Sequence, residues 1–330
     1  MGFKKLWGFE TSDHVLSLAW SESLLIVTPS TGTILLVDQQ GRTIAGFADH
    51  GLGNGAAAAG SGILATCGFD GRIQTYKMSG SRISPQSGIA LGKGWIERAK
   101  WSPDHAHLAA ALGKTLFVLK PNGEVVAGFS NHQTSVSDFS WNPANPLEIA
   151  SVCGGGARMW RMGNTEPFAR FDWGGASLLV TWSPTGRWLV TGDQTPSVHL
   201  YDFRRDYPLH IQGYETKVKA MDFSPDGERL ATGGGTTVTV WNCTGETGPE
   251  GTMPSQLKFH KGDVETIAWS PTGEFLATGD VAGRLVFSDT KGRPVSAFED
   301  AEGISALAWS PDGKHLAMGD AGGRVVLFSD

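Results

Sequence analysis

The chain has nine histidines and three cysteines, and those placed where they could share a metal are few. They are His14, His132 and His260, with Cys67 and Cys153. Zinc accepts imidazole and thiolate alike. The spacing does not support a site, because no CxxC, HxxxH or HExxH pattern occurs. No metal is expected, and His132 and Cys153 are the only pair worth carrying forward as candidates. Catalytic patterns fail in the same way. There is no Gly-x-Ser-x-Gly elbow and no P-loop. The glycine clusters 154–156, 233–235 and 51–55 lie between or before short β-like runs. They read as turns, not as phosphate cradles leading into helices. Asp193, Asp280 and Asp320 each follow a glycine and read as turn caps. No catalytic residue and no cofactor is expected, so the chain is not expected to be an enzyme.

Composition narrows the alternatives. The 330 residues carry 27 Lys+Arg and 33 Asp+Glu, a net charge of −6, and 40% are hydrophobic. That is enough apolar material for a core, so disorder is excluded. A mildly acidic chain lacks the basic face of a nucleic-acid binder. No apolar run is long enough for a membrane span or a signal peptide, so a soluble cytoplasmic monomer is the expectation. Three cysteines are too few for a disulfide scaffold.

The elements that would position these residues come from a repeat. Ile267-Ala268-Trp269-Ser270-Pro271-Thr272-Gly273 returns as Leu307-Ala308-Trp309-Ser310-Pro311-Asp312-Gly313. Weaker copies place markers at Trp20, Gly60, Trp101, Trp141, Trp182 and Phe223. The steps are 40 or 41 residues, except for one of 46 that takes in the Gly/Pro-rich stretch 245–254. Each unit reads as four short strands, for example 264–270, 275–278, 284–287 and 294–298. A type I turn with Pro second and Gly fourth follows the first strand. Helical periodicity is absent. Four strands per unit of about 40–45 residues is the pattern of a β-propeller blade.

These residues resemble the WD40 repeat family, particularly its short bacterial members. The endings Leu200-Tyr201-Asp202, Val240-Trp241-Asn242 and Phe287-Ser288-Asp289 stand where that family has its Trp-Asp dipeptide. The marker count predicts an all-β, eight-bladed propeller of four-stranded antiparallel blades, spanning 1–330 as a single domain. The last unit runs out after its third strand, and Leu6-Trp7-Gly8-Phe9 matches fourth-strand segments such as Val126-Ala127-Gly128-Phe129. Residues 4–10 are therefore expected to complete the last blade and close the ring, removing an open sheet edge.

The resemblance implies roles for particular residues. His50, Thr66, Asp70 and Tyr76 match the family's hydrogen-bonded tetrad and read as structural. It also implies a top face, made by the loops entering each first strand and those joining second to third strands. Trp95 and Trp173 lie outside the repeated Trp positions, just before first strands, and would suit partner binding. A family contact position just inside each first strand holds Leu16, Ala56, Glu97, Ser137, Leu178, Lys219, Glu265 and Ser305, a mixed ring suited to a protein surface. The expected function is a non-catalytic scaffold binding a protein or peptide partner through Trp95, Glu97, His132, Trp173, Lys219 and Glu265. The resemblance also permits metal handling, as a zinc binder or as partner of a CobW-type GTPase metallochaperone. It further permits an enzyme with its site at the channel mouth.

Overall fold

The computed structural model describes residues 2–330. Among them are thirty strands and no helix. Within a unit the sequence sets each strand's environment. The second strands Leu24–Pro29, Ile63–Gly68 and Trp188–Asp193 are buried at every residue. They are covered on both faces by neighbouring blades and so read as apolar runs without alternation. The outer strand Tyr207–Gln212 alternates with exposed positions, because only one of its faces meets the core.

Counted as hydrogen-bonded sheets, the blades number seven, not eight. Six sheets have four strands and one has six. The six-stranded sheet joins the units marked by Trp141 and Trp182 through two long strands, Asn145–Arg161 and Ala169–Trp182. The repeat reading puts a turn at 154–156 and the start of a new first strand just after Trp173. Neither segment contains a proline. Gly155 and Gly156 take positive φ inside the strand. Pairing resumes beyond each irregularity, with register shifts between Gly154 and Gly156 and between Ser177 and Leu179. The glycines therefore act as bulges, bending the sheet without ending it.

The Ser-Pro-x-Gly turns form the opposite end of the blades. In one, Gly227 N–H donates to Ser224 C=O at 2.8 Å, and Gly227 holds φ 72°. Asp226 accepts from the Glu228 N–H at 2.9 Å.

The marker tryptophans have a second role beyond filling the core. All but Trp269 send the indole N–H to a carbonyl in the first strand of the preceding unit. Trp101 donates to Ala58 C=O at 3.0 Å, Trp141 to Lys100 at 2.9 Å, Trp182 to Ser140 at 3.2 Å and Trp309 to Ala268 at 3.1 Å. Trp20 crosses the closing seam to Ala308 C=O at 3.0 Å.

At that seam the strand Lys4–Glu10 pairs antiparallel with Arg324–Ser329. Thr11 N–H reaches Gly323 C=O at 2.8 Å, and the Ser305 hydroxyl reaches Val15 C=O at 2.7 Å. Phe3, which repeat matching gave no reason to single out, is buried and stacks on Phe287 with ring centroids 3.9 Å apart.

Candidate functional site

Loops entering first strands bond to loops joining second and third strands, so both sets form one face. Examples are Ser30 N–H to His14 C=O and Ala321 N–H to Glu302 C=O, at 2.8 and 3.1 Å. This top face surrounds a central channel of about 410 Å³, lined by residues in or beside the first strands, such as Leu16, Lys219 and Ser305.

Charges line that channel in pairs set one repeat apart. Lys219 pairs with Glu265 and with Asp263, the latter at 3.2 Å. Glu265 first, then Asp263, pushes the Lys219 ammonium up from its ordinary value. On the other side Lys100 pairs with Asp138 at 2.9 Å, and Arg98 lies 3.6 Å from the same carboxylate. Repeat matching picked out Lys219 and Glu265 but missed Arg98, Lys100 and Asp138. The signal was available, since residues one repeat apart on adjoining first strands face each other.

Asp222, next to the channel-lining Met221, has no such partner. Burial pushes its carboxyl up to about 7, against hydrogen bonds from the Trp269 N–H, at 2.7 Å, and the Phe223 N–H. The folded chain thus keeps this proton to higher pH than the unfolded chain, which releases it near 3.8. The group's contribution to stability is complete below that lower value and is lost as pH rises through about 7. Asp222→Asn removes the titration. Its melting temperature relative to wild type is expected to be higher at about pH 8 than at about pH 5, in paired thermal melts. A constant difference across that window would show that Asp222 does not titrate there.

Trp95 and Glu97 come together in a groove of about 680 Å³ beside the third blade. Trp95 is 65% exposed, and its indole rests at 5.2 Å from the Phe69 ring.

His132 and Trp173 do not join this site. His132 is buried, and its Nδ1 donates to Lys114 C=O at 2.9 Å. Its Nε2 lies 2.7 Å from the Ser151 hydroxyl, which also takes the Trp160 indole N–H at 2.8 Å. With one nitrogen donating and the other accepting from Ser151, neither is free for a partner or a metal, and burial holds the imidazole below its usual range. Trp173 is half-buried, stacked on His199 at 4.2 Å and bonded to Ser177 Oγ at 2.8 Å. It packs on its neighbour and does not present a free ring.

The metal candidates fail on geometry. Cys153 Sγ donates to the Gly154 carbonyl at 3.2 Å. Burial pushes the Cys67 thiol up to about 12, far from the thiolate that zinc binding needs. Among the described residues no group of three or more His, Cys, Asp and Glu could hold a metal ion.

The tetrad residues do meet. His50 reaches Asp70 and Thr66, each at 3.1 Å. Tyr76 joins through Asp49, which takes both the Tyr76 hydroxyl and, at 2.9 Å, that of Thr66. A second such network was missed. His260 reaches Asp280 at 3.0 Å and Thr278 at 2.8 Å, so Asp280 is more than a turn cap. The signal was the twenty-residue His-to-Asp separation that His50 and Asp70 share with it.

Comparisons with known proteins add family and fold. The model for the WD domain, G-beta repeat, matches residues 206–242, and that for the anaphase-promoting complex subunit 4 WD40 domain matches 267–330. Protein FIZZY-RELATED 2 of Arabidopsis thaliana is 27% identical over 263 residues, covering 72% of this chain and 52% of that protein. The B-type cell cycle switch protein ccs52A of Medicago truncatula is 26% identical over 259 residues, with the same coverage. THO complex subunit 3 of Arabidopsis thaliana is 23% identical over 193 residues, covering 56% of this chain and 59% of that protein. The chain spans about half the length of the first two relatives. All three come from plants, and nothing supports the bacterial likeness. Two solved structures superpose over 99% of both chains at 16% identity. One is the computationally designed Ika8 protein, with a TM-score of 0.85. The other is Chaetomium thermophilum Sqt1 bound to the N-terminus of the ribosomal protein L10, with a TM-score of 0.86. At that identity these two likenesses speak to the fold alone.

Proposed function

We propose that this chain, which belongs to the WD40-repeat β-propeller family, is a non-catalytic scaffold that binds a protein or peptide partner through its top face. One observation carries the reading. The marker tryptophans are held in the core or bonded across blades, while Trp95 stands 65% exposed at an open groove on the top face. Exposed tryptophan at the edge of a preformed cleft is the kind of residue that supplies interface energy, about 2 kcal/mol or more per hot spot. The paired charges Lys219 and Glu265 lie on the same face, ready to set orientation more than affinity. The relatives' names point the same way, since the THO complex subunit and the anaphase-promoting complex subunit both belong to assemblies. Sqt1, whose structure holds a peptide segment of another protein, shows what a similar fold can do.

The test is comparative capture. Tagged full-length chain is purified from its host as wild type, as a top-face variant (Trp95→Ala with Lys219→Glu) and as an opposite-face variant (Lys314→Glu). Partners recovered by wild type are expected to be lost from the top-face variant and kept by the other, with both variants folded at the capture temperature in thermal melts. Loss through Lys314→Glu alone would place the binding surface on the opposite face and refute the reading.

A further inference from the structure

The groove beside Trp95 owes its shape to a shortened strand. The innermost strand of this blade is only Ala99–Trp101, three residues, whereas Val264–Trp269 has six and Val15–Ser21 has seven. Residues 92–98, just before the short strand, carry no strand pairing. They are nonetheless fixed. Ile96 is fully buried and its N–H donates to Gly68 C=O at 3.1 Å. Leu91 N–H donates to Gly71 C=O at 2.9 Å. The preceding blade accepts the loop at two glycines. A Cβ on Gly55 would fall 2.0 Å from the Ile96 carbonyl oxygen, and one on Gly71 would fall 2.1 Å from that of Gly92. Only glycine fits at either place, so the loop is seated before any partner arrives, which lowers the ordering cost of binding.

The walls combine apolar surface with an excess of cations. Trp95, Leu112, Phe117 and Val136 supply the apolar part. At the rim, Arg98 and Lys100 are spent on Asp138. Lys93 lines the groove, and Lys114 sits between the lining residues Gly113 and Thr115. Among the described residues neither ammonium has a carboxylate within 4.0 Å, and Glu97 is the one unpaired acid of the lining. Two free cations against one free carboxylate stand out in a chain of net charge −6. A single-stranded nucleic acid would also find an aromatic ring and lysines here. The one exposed ring, tilted against Phe69, and the free carboxylate of Glu97 favour a peptide over a phosphate backbone.

We propose that this groove takes an extended acidic peptide segment, with an apolar side chain set against Trp95 and flanking carboxylates reaching Lys93 and Lys114. The proposal rests on the top-face reading above and specifies the partner's chemistry.

The test uses full-length protein and synthetic probes: a short fluorescein-labelled peptide alternating Asp and Leu, its Lys-Leu and Asp-Ser counterparts, and labelled oligouridine. The Asp-Leu peptide is expected to raise fluorescence anisotropy and to bind at least about tenfold more tightly than either counterpart, with affinity falling as salt rises. Trp95→Ala and the Lys93→Glu, Lys114→Glu pair are each expected to weaken it about tenfold or more, while Trp95→Phe restores most of the binding. Stronger binding by the Lys-Leu peptide or by oligouridine overturns the assignment, as does Asp-Leu binding that ignores both variants. If no acidic peptide binds while partner capture still depends on the top face, the inference fails and the scaffold reading stands. If the peptide binds but partner capture ignores the top-face variant, the groove assignment holds and the scaffold reading fails.

Discussion

A chain lacking residues 1–11 is expected to lose its closed ring, melt on the order of 10 °C lower and aggregate. The strand Lys4–Glu10 supplies the outer edge of the sheet that ends in Arg324–Ser329, whose four central residues are buried. Without it those residues meet water along an unpaired edge, which is a template for intermolecular pairing. The loss exceeds one strand's hydrogen bonds. Phe3 leaves its stack on Phe287 and its edge contact with Phe275. Trp7 gives up the bond from its indole N–H to Gln39 C=O at 2.8 Å. Removing a buried Phe side chain alone costs about 3–5 kcal/mol. Each kcal/mol lowers the melting temperature of a domain this large by about 2–4 °C. Size-exclusion chromatography with thermal scanning checks the result. A truncated chain that stays monomeric and melts like wild type would show that the pairing of the N-terminal strand does not hold the ring.

Trp309→Ala is expected to cost about 3–5 kcal/mol and Trp309→Phe about 1 kcal/mol. The two substitutions separate packing from bonding. Trp309 is 9% exposed and meets the edges of Phe3 and Phe287 at 5.6 and 6.0 Å. Phenylalanine keeps most of that contact but leaves the Ala268 carbonyl without its donor. Trp269 provides the internal control, because its buried indole nitrogen has no acceptor. Trp269→Phe should therefore cost less than Trp309→Phe. Denaturant melts of the three variants and wild type decide it. Equal losses for the two Phe variants would mean that the indole bonds between blades contribute nothing beyond packing.

The repeat made most of the strand plan legible, since each Trp-Ser-Pro-x-Gly run marks the end of a first strand and the turn after it. What it could not fix was where hydrogen bonding stops. The glycines at 154–156 and 174–175 look like turns by composition, yet pairing continues past them, and two units share a single blade. Among site residues, Trp95 and Trp173 both fall outside the repeated Trp positions, yet only Trp95 is an open ring, so that signal alone does not separate them. His132 misled because its loop position resembles an open one. Its hydrogen-bond partners, the Lys114 carbonyl and Ser151, are set by the fold and not by local sequence. The channel pairs Lys100 with Asp138 and Lys219 with Glu265 were half-legible. Their separations of 38 and 46 residues lie close to the local repeat steps of 40 and 46, but only packed blades bring the charges into contact.

The most direct measurement of the central claim is hydrogen exchange on the full-length chain, alone and with its captured partner. Slowed exchange is expected at 92–98, 111–117 and 135–139 around the Trp95 groove, with no change in the turns 225–228, 271–274 and 311–314 at the opposite end. Protection confined to those turns, or to outer strands such as Tyr207–Gln212, would contradict it.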